Sequence, residues 1–165
     1  MSQFFGKYRG TVSNNIDPDS SGRMQVSVPA VFGEGRLAWA MPSVPYAGMQ
    51  NCFYAIPPIN AKVWVEFEGG NPDFPIWTGC FWGKGEVPST ATSTPATIPH
   101  IAMQTSGSTT FLLSDNPTEG ITLKLISGAK IVINQTGIKI ENGMGASIEL
   151  QGPKVKINGT ALEIT

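Results

Sequence analysis

Metal-ligating and redox-active side chains are nearly missing from this chain: His100 is the single histidine, and Cys52 and Cys80 are the two cysteines. A structural zinc site takes four Cys, His or carboxylate ligands at set spacings, so one copy of this chain is expected to bind no metal. Each cysteine has aromatic neighbours, Phe53-Tyr54 and Phe81-Trp82. Both are therefore expected as buried thiols kept reduced, with a Cys52–Cys80 pairing left open. Charge is scarce too, at 14% of residues and a formal net charge of −1. Affinity for phosphate backbones rests on clustered Lys and Arg, so no nucleic-acid partner is expected. No run reaches 18 apolar residues, and Met1-Ser2-Gln3-Phe4-Phe5-Gly6-Lys7 lacks a basic segment leading into an apolar one. Neither a membrane span nor a signal peptide is read, and the chain is expected to be made in the cytoplasm.

What the chain does have is turn chemistry: 19 Gly and 13 Pro. Between these breaks lie short apolar alternations, Tyr8 to Val12, Met24-Val26-Val28 and Val63-Val65-Phe67, and the apolar run Ile76 to Phe81, with no helical periodicity. Period-two segments bounded by Gly and Pro read as strands, so the fold class is all-β. Residues 1–84 hold all four tryptophans and all three tyrosines, and their size and strand count fit a five-stranded oligonucleotide/oligosaccharide-binding (OB) barrel. The aromatics are expected mainly in its core. Residues 85–104 contain "GEVPSTATSTPATIP" and read as a Pro/Ser/Thr linker.

From 105 to 165 a different pattern takes over. Apolar-x-apolar triplets recur at Ile131/Ile133, Ile138/Ile140, Ile148/Leu150, Val155/Ile157 and Leu162/Ile164, with turn residues filling each gap. Their middle residues are Val132, Lys139, Glu149, Lys156 and Glu163, so one face is apolar and the other carries charge of alternating sign. Two apolar side chains per short strand, with no helix to cover them, do not make a core. Copies of the chain can cover them, and the ten triplet residues are expected to form the core of an intertwined trimeric β-helix, a β-prism.

"NNIDPDSSGRMQV" raises a sharper possibility. Asp17, Asp19 and Ser21 stand at positions one, three and five of a calcium loop, with Gly22 at six. The twelfth position should be a bidentate Glu, and here it is Val28. The expected role of Asp17, Pro18, Gly22 and Arg23 is instead a turn between two barrel strands. Asp17 would accept backbone N–H groups and Gly22 would take a positive φ. Pro72, Asp73 and Pro75 read as a second turn with Asp73 as its cap. A lone carboxylate without a partner acid, His or Lys makes no catalytic pair. His100 has no orienting acid and no nucleophile elbow in the sequence. No catalytic residue, enzyme activity or cofactor is expected.

The stretches "GTVSNNIDPDSSGRMQVSVP", "WAMPSVPYAG" and "PPINAKVWVEFEGGNPDFPIWTGCFW" resemble the OB domain of the central spike proteins of contractile phage tails. That domain is shared with the baseplate assembly protein V family and with the VgrG proteins of type VI secretion. The matching residues include Gly10, Val12, Asp17, Pro18, Gly22, Arg23, Pro72, Asp73 and Pro75. "SGAKIVINQTGIKI" and "ASIELQGPKVKINGTALEI" look like the triple-stranded β-helix that follows it. The resemblance implies a homotrimer docked on a separate trimeric hub protein, within a phage tail or injection-system baseplate. It implies a needle that meets the target membrane transiently when the sheath contracts, and a PAAR-type tip protein seated on Leu162, Ile164 and Thr165. The stretch between barrel and needle is too short for the lysozyme that some such spikes carry. A trimeric receptor-binding or adhesive tail fibre is the alternative reading.

Overall fold

The computed structural model describes residues 2–92, 95, 97–159 and 161–164, with side chains through Leu162. The chain divides into two compact units, Met1–Glu86 and Val87–Thr165.

The first unit contains β1 (Tyr8–Asn14), β2 (Met24–Ser27), helix α1 (Pro29–Phe32), β3 (Leu37–Pro42), β4 (Ala47–Gly48), β5 (Asn51–Cys52), β6 (Lys62–Phe67) and β7 (Pro75–Cys80). Five of these strands close into a barrel in the order β1-β2-β3-β7-β6. The barrel closes where β1 returns to β6, with Tyr8 opposite Val65 and Thr11 opposite Lys62. β3 and β7 run parallel and every other barrel pair is antiparallel, while β4 and β5 form a separate small hairpin. Strand alternation decides the core: Val12, Met24, Val26, Val28, Val63 and Val65 are fully buried, and Phe67 and Trp77 nearly so. Burying each such side chain stabilises the barrel by roughly 1.5 to 3 kcal/mol. Gly10 explains how tightly β1 packs. A Cβ there would meet Val65 Cγ2 at 3.0 Å and the Ser27 carbonyl oxygen at 3.2 Å.

The second unit holds α2 (Ser89–Thr92) and β8 (His100–Gln104), β9 (Thr110–Ser114), β10 (Ile121–Lys124), β11 (Ala129–Asn134), β12 (Gly137–Asn142), β13 (Ser147–Gln151), β14 (Lys154–Ile157) and β15 (Leu162–Ile164). These eight strands form one antiparallel sheet in sequence order. Backbone pairing is thus completed within the chain except along the outer sides of β8 and β15. Two turn glycines make the meander possible. A Cβ on Gly137 would lie 1.9 Å from the Leu150 carbonyl oxygen, and one on Gly120 would lie 2.1 Å from that of Ile133. On its own, the chain forms a sheet of strands and not a helix of them.

Three expectations change. The segment 85–104 contains α2 and the whole of β8, because Ile101 and Met103 repeat the apolar alternation of the sheet. Cys52 and Cys80 are free and exposed instead of buried. Cys52 lies in the two-residue hairpin strand β5, and Cys80 ends β7 beyond the barrel interior. The barrel core takes Trp77 and Phe67, but Tyr46, Phe53, Tyr54 and Trp82 are more than half exposed. Valines fill the small barrel instead, since a five-stranded interior has little room for large rings.

Candidate assembly surface

The register of the second unit gathers the triplet residues onto one face. Ile131 lies opposite Ile140, and Ile140 opposite Ile148, which pairs with Ile157; Leu162 follows beside Ile157. A parallel row runs through Ile133, Ile138, Leu150 and Val155, and the backbone of Ile164 pairs with Val155. Side-chain period two puts both rows on the same side of the sheet.

Three strands missing from the sequence count extend these rows. Met103, Phe111 and Leu123 continue the first, and Ile101, Leu113 and Ile121 the second. The same triplet signal was present there, but the middle residues Ala102, Leu112 and Thr122 are uncharged, so the alternation of charge that marks the later strands is lacking. Leu112 is in fact buried on the other side of the sheet.

Nothing within the unit covers the apolar face among the described residues. Ile131, Ile133, Ile140, Ile148, Leu150 and Ile157 remain 36 to 42% exposed, and Leu162 is 50% exposed. A contiguous apolar surface of this extent marks an association site. Of the expected tip platform, Leu162 lies on this face, Ile164 is placed by its backbone alone, and Thr165 lies outside the described residues.

The opposite face is a ladder of charge. Val132, Lys139, Glu149, Lys156 and Glu163 are successive cross-strand partners. Lys139 Nζ lies 2.9 Å from Glu149 and 3.1 Å from Glu141, and Lys130 Nζ lies 2.7 Å from Glu141. Hydrogen bonds from Lys130 and then Lys139 hold the Glu141 carboxyl below its usual range. Bonds to Glu149 and then Glu141 push the Lys139 ammonium up. Exposed pairs stabilise little. Their effect is on register, because a slip by one residue would turn the charges onto the apolar face.

The turn at Asp17 joins β1 to β2. Asp17 Oδ1 accepts the Asp19 N–H at 3.0 Å, and Oδ2 accepts those of Ser21 at 2.8 Å and Arg23 at 3.1 Å. Arg23 adds its guanidinium to Asp17 at 2.7 Å and also pairs with Asp19. Only 5% of the Asp17 side chain is exposed, and the guanidinium beside it holds the carboxyl well below the usual range. Gly22 has φ +74°. The acids that suggested a calcium loop are thus neutralised by Arg23, which also stands 5.4 Å over the Trp39 ring. In the second turn the cap is Asn71, whose Oδ1 accepts the Asp73 N–H at 3.0 Å. Asp73 itself reaches Arg36 at 3.6 Å. Pro72 and Pro75 flank it, and Pro75 begins β7.

His100, at the start of β8, lies between two carbonyls, with Nδ1 3.0 Å from the Ile98 oxygen and Nε2 3.0 Å from the Ala91 oxygen. Both acceptors call for an N–H, so the contacts push its pKa upward, Ile98 most strongly. Among the described residues, no three His, Cys, Asp or Glu side chains come together. Among the described residues, no helix is long and apolar enough to cross a membrane.

A closed barrel is followed by a sheet with one bare apolar face, a surface suited to association. Residues 8–82 match the type VI secretion system/phage-baseplate injector OB domain, and residues 100–163 match the phage baseplate V C-terminal trimerisation domain. The chain belongs to this phage baseplate V family, whose two domains it carries in order. No curated protein matches it. The matched families are structural parts of the baseplate, and the trimerisation domain supports a homotrimer.

Proposed function

We propose that this protein is the central spike of a contractile injection machine. Three copies close their apolar sheet faces against one another and wind into the needle, with Ile131, Ile133, Ile138, Ile140, Ile148, Leu150, Val155, Ile157, Leu162 and Ile164 on its dry axis. The barrels form a collar on a trimeric hub at the end of the tube. The needle leads through the target envelope when the sheath contracts, touching the membrane only in passage, and a PAAR-type tip protein sits on its far end at Leu162, Ile164 and Thr165. The work is mechanical and not catalytic.

The observation that supports this most directly is the uncovered double row of apolar side chains on a sheet whose other face is charged. Such a face cannot remain in water, and three-fold association buries it with the charges outside. The turns at Asp17–Arg23 and at Pro72–Pro75 serve the collar by fixing the ends of its strands.

Purified particles examined by electron microscopy with antibody to the barrel test the reading. Label at the tube end, with needle density lost when the gene is removed, is the expected result. Label on peripheral fibres, with saturable glycan binding by the purified chain, would overturn it in favour of an adhesive tail fibre.

A further inference from the structure

The sheet of the second unit is a single layer, yet Thr110 and Leu112 on β9 are only 8% and 7% exposed. Gln104 and Ala102 on β8 lie directly opposite them, and His100 lies opposite Ser114. Cross-strand partners share a face, so these side chains stand together on the side away from the apolar rows. Ser89 and Thr90 of α2 line one groove with Gln104, Thr110 and Leu112. Helix α2 therefore supplies the cover. It has little hold of its own, because Ser89-Thr90-Ala91-Thr92 is one turn long and carries no large apolar side chain.

Two contacts pin α2 to β8 among the described residues. Thr90 Oγ1 donates to Gln104 Oε1 at 2.6 Å. His100 Nε2 lies 3.0 Å from the Ala91 carbonyl oxygen while Nδ1 lies 3.0 Å from that of Ile98. A neutral imidazole has one N–H and one lone pair, so it satisfies one of these carbonyls and turns a lone pair toward the other. An imidazolium donates to both. Neither α2 nor β9 brings an ionisable side chain to the ring. Asp115 lines a groove with His100, and Glu119 attracts its charge from the same turn between β9 and β10. A carboxylate beside the ring favours its charged form. Lys124 of β10 lies beside Thr110, at the other end of β9 from the ring.

We propose that α2 is a proton-latched strap: with His100 charged it lies over Thr110 and Leu112, and when the ring loses its proton it lifts and leaves them to solvent. The open state is the linker that the Pro/Ser/Thr composition of this stretch predicts. The docked state rests on few contacts, as segments that open locally do. Docking is complete below about 6.5 and is lost as pH rises through the raised value of the docked ring. Between the two values the opening constant climbs by up to about tenfold per pH unit. All these contacts lie within one chain, so the strap does not depend on the spike reading.

Hydrogen–deuterium exchange of the full-length protein from about pH 6 to about pH 9, read by mass spectrometry and corrected for intrinsic exchange, tests it. Protection of the peptide carrying α2 should fall with rising pH, by up to about tenfold per unit, while β11 to β13 hold theirs. His100→Phe should leave that peptide as open in mild acid as the wild type is in alkali, with unchanged sedimentation. Wild-type protection of α2 that does not vary with pH would overturn the strap. So would a pH-dependent loss that persists in His100→Phe.

Discussion

Ile140 sits in the middle of the apolar face, between Ile131 and Ile148 on the neighbouring strands, and Ile140→Asp tests what that face does. In one chain the side chain is 41% exposed, so its own sheet already supplies more than half of its burial. Full burial of an isoleucine is worth roughly 1.5 to 3 kcal/mol, so covering the remainder contributes about 1 kcal/mol per chain. Three chains lose about 3 kcal/mol when it is removed. Aspartate adds a carboxylate in each chain at the same dry axis, costing several kcal/mol apiece and on the order of 10 kcal/mol for the assembly. That is comparable to the whole stability of a domain. The acids can escape by protonating, which raises their pKa. The variant should therefore be monomeric by light scattering at neutral pH and partly trimeric in mild acid. All four tryptophans are in the barrel unit, so their fluorescence should still report a folded barrel. Val132→Asp, opposite Lys139 on the charged face, should leave the trimer unchanged. A heat-resistant trimer of Ile140→Asp at neutral pH would refute the assignment of the inward face.

Gly137→Ala should lower the melting temperature of the C-terminal unit, by about 2 kcal/mol of stability or more, since its Cβ would collide with the Leu150 carbonyl at a φ of +138°; thermal denaturation followed in the far ultraviolet checks this. Asp17→Asn removes an acceptor shared by three backbone N–H groups and Arg23 and should lower the barrel's melting temperature. Because the Asp17 pKa is depressed in the fold, its contribution is present above the ordinary value of 3.8 and is lost as pH falls toward the folded value. The gap between wild type and variant should therefore narrow in acid. For His100 the shift is upward, so its contribution is complete below 6.5 and is lost as pH rises through the raised folded value. The single imidazole should titrate above 6.5 by nuclear magnetic resonance, and a value at or below that would contradict the paired carbonyl contacts.

The barrel was legible because its valines alternate and its breaks are Gly and Pro, so Val12, Val26, Val63 and Val65 point inward by period alone. The fifth strand, β3, was less visible, since Leu37-Ala38-Trp39-Ala40 alternates between large and small apolar residues instead of apolar and polar ones. In the sheet, charge stands between the apolar residues of β12 to β15, and β8 to β10 lack it. Arg23 is legible as part of the turn, but its ion pair with Asp17 is a contact between side chains that no periodicity encodes. The exposure of the cysteines and tyrosines is not legible in the sequence, because an aromatic neighbour says nothing about which side of a strand end, or of a two-residue hairpin, a side chain takes.

Assembly through the bare face is tested most directly by sedimentation of the full-length protein from high to nanomolar concentration. A single species of three times the chain mass throughout is the predicted result. A stable, folded monomer with its apolar face left in water would contradict it.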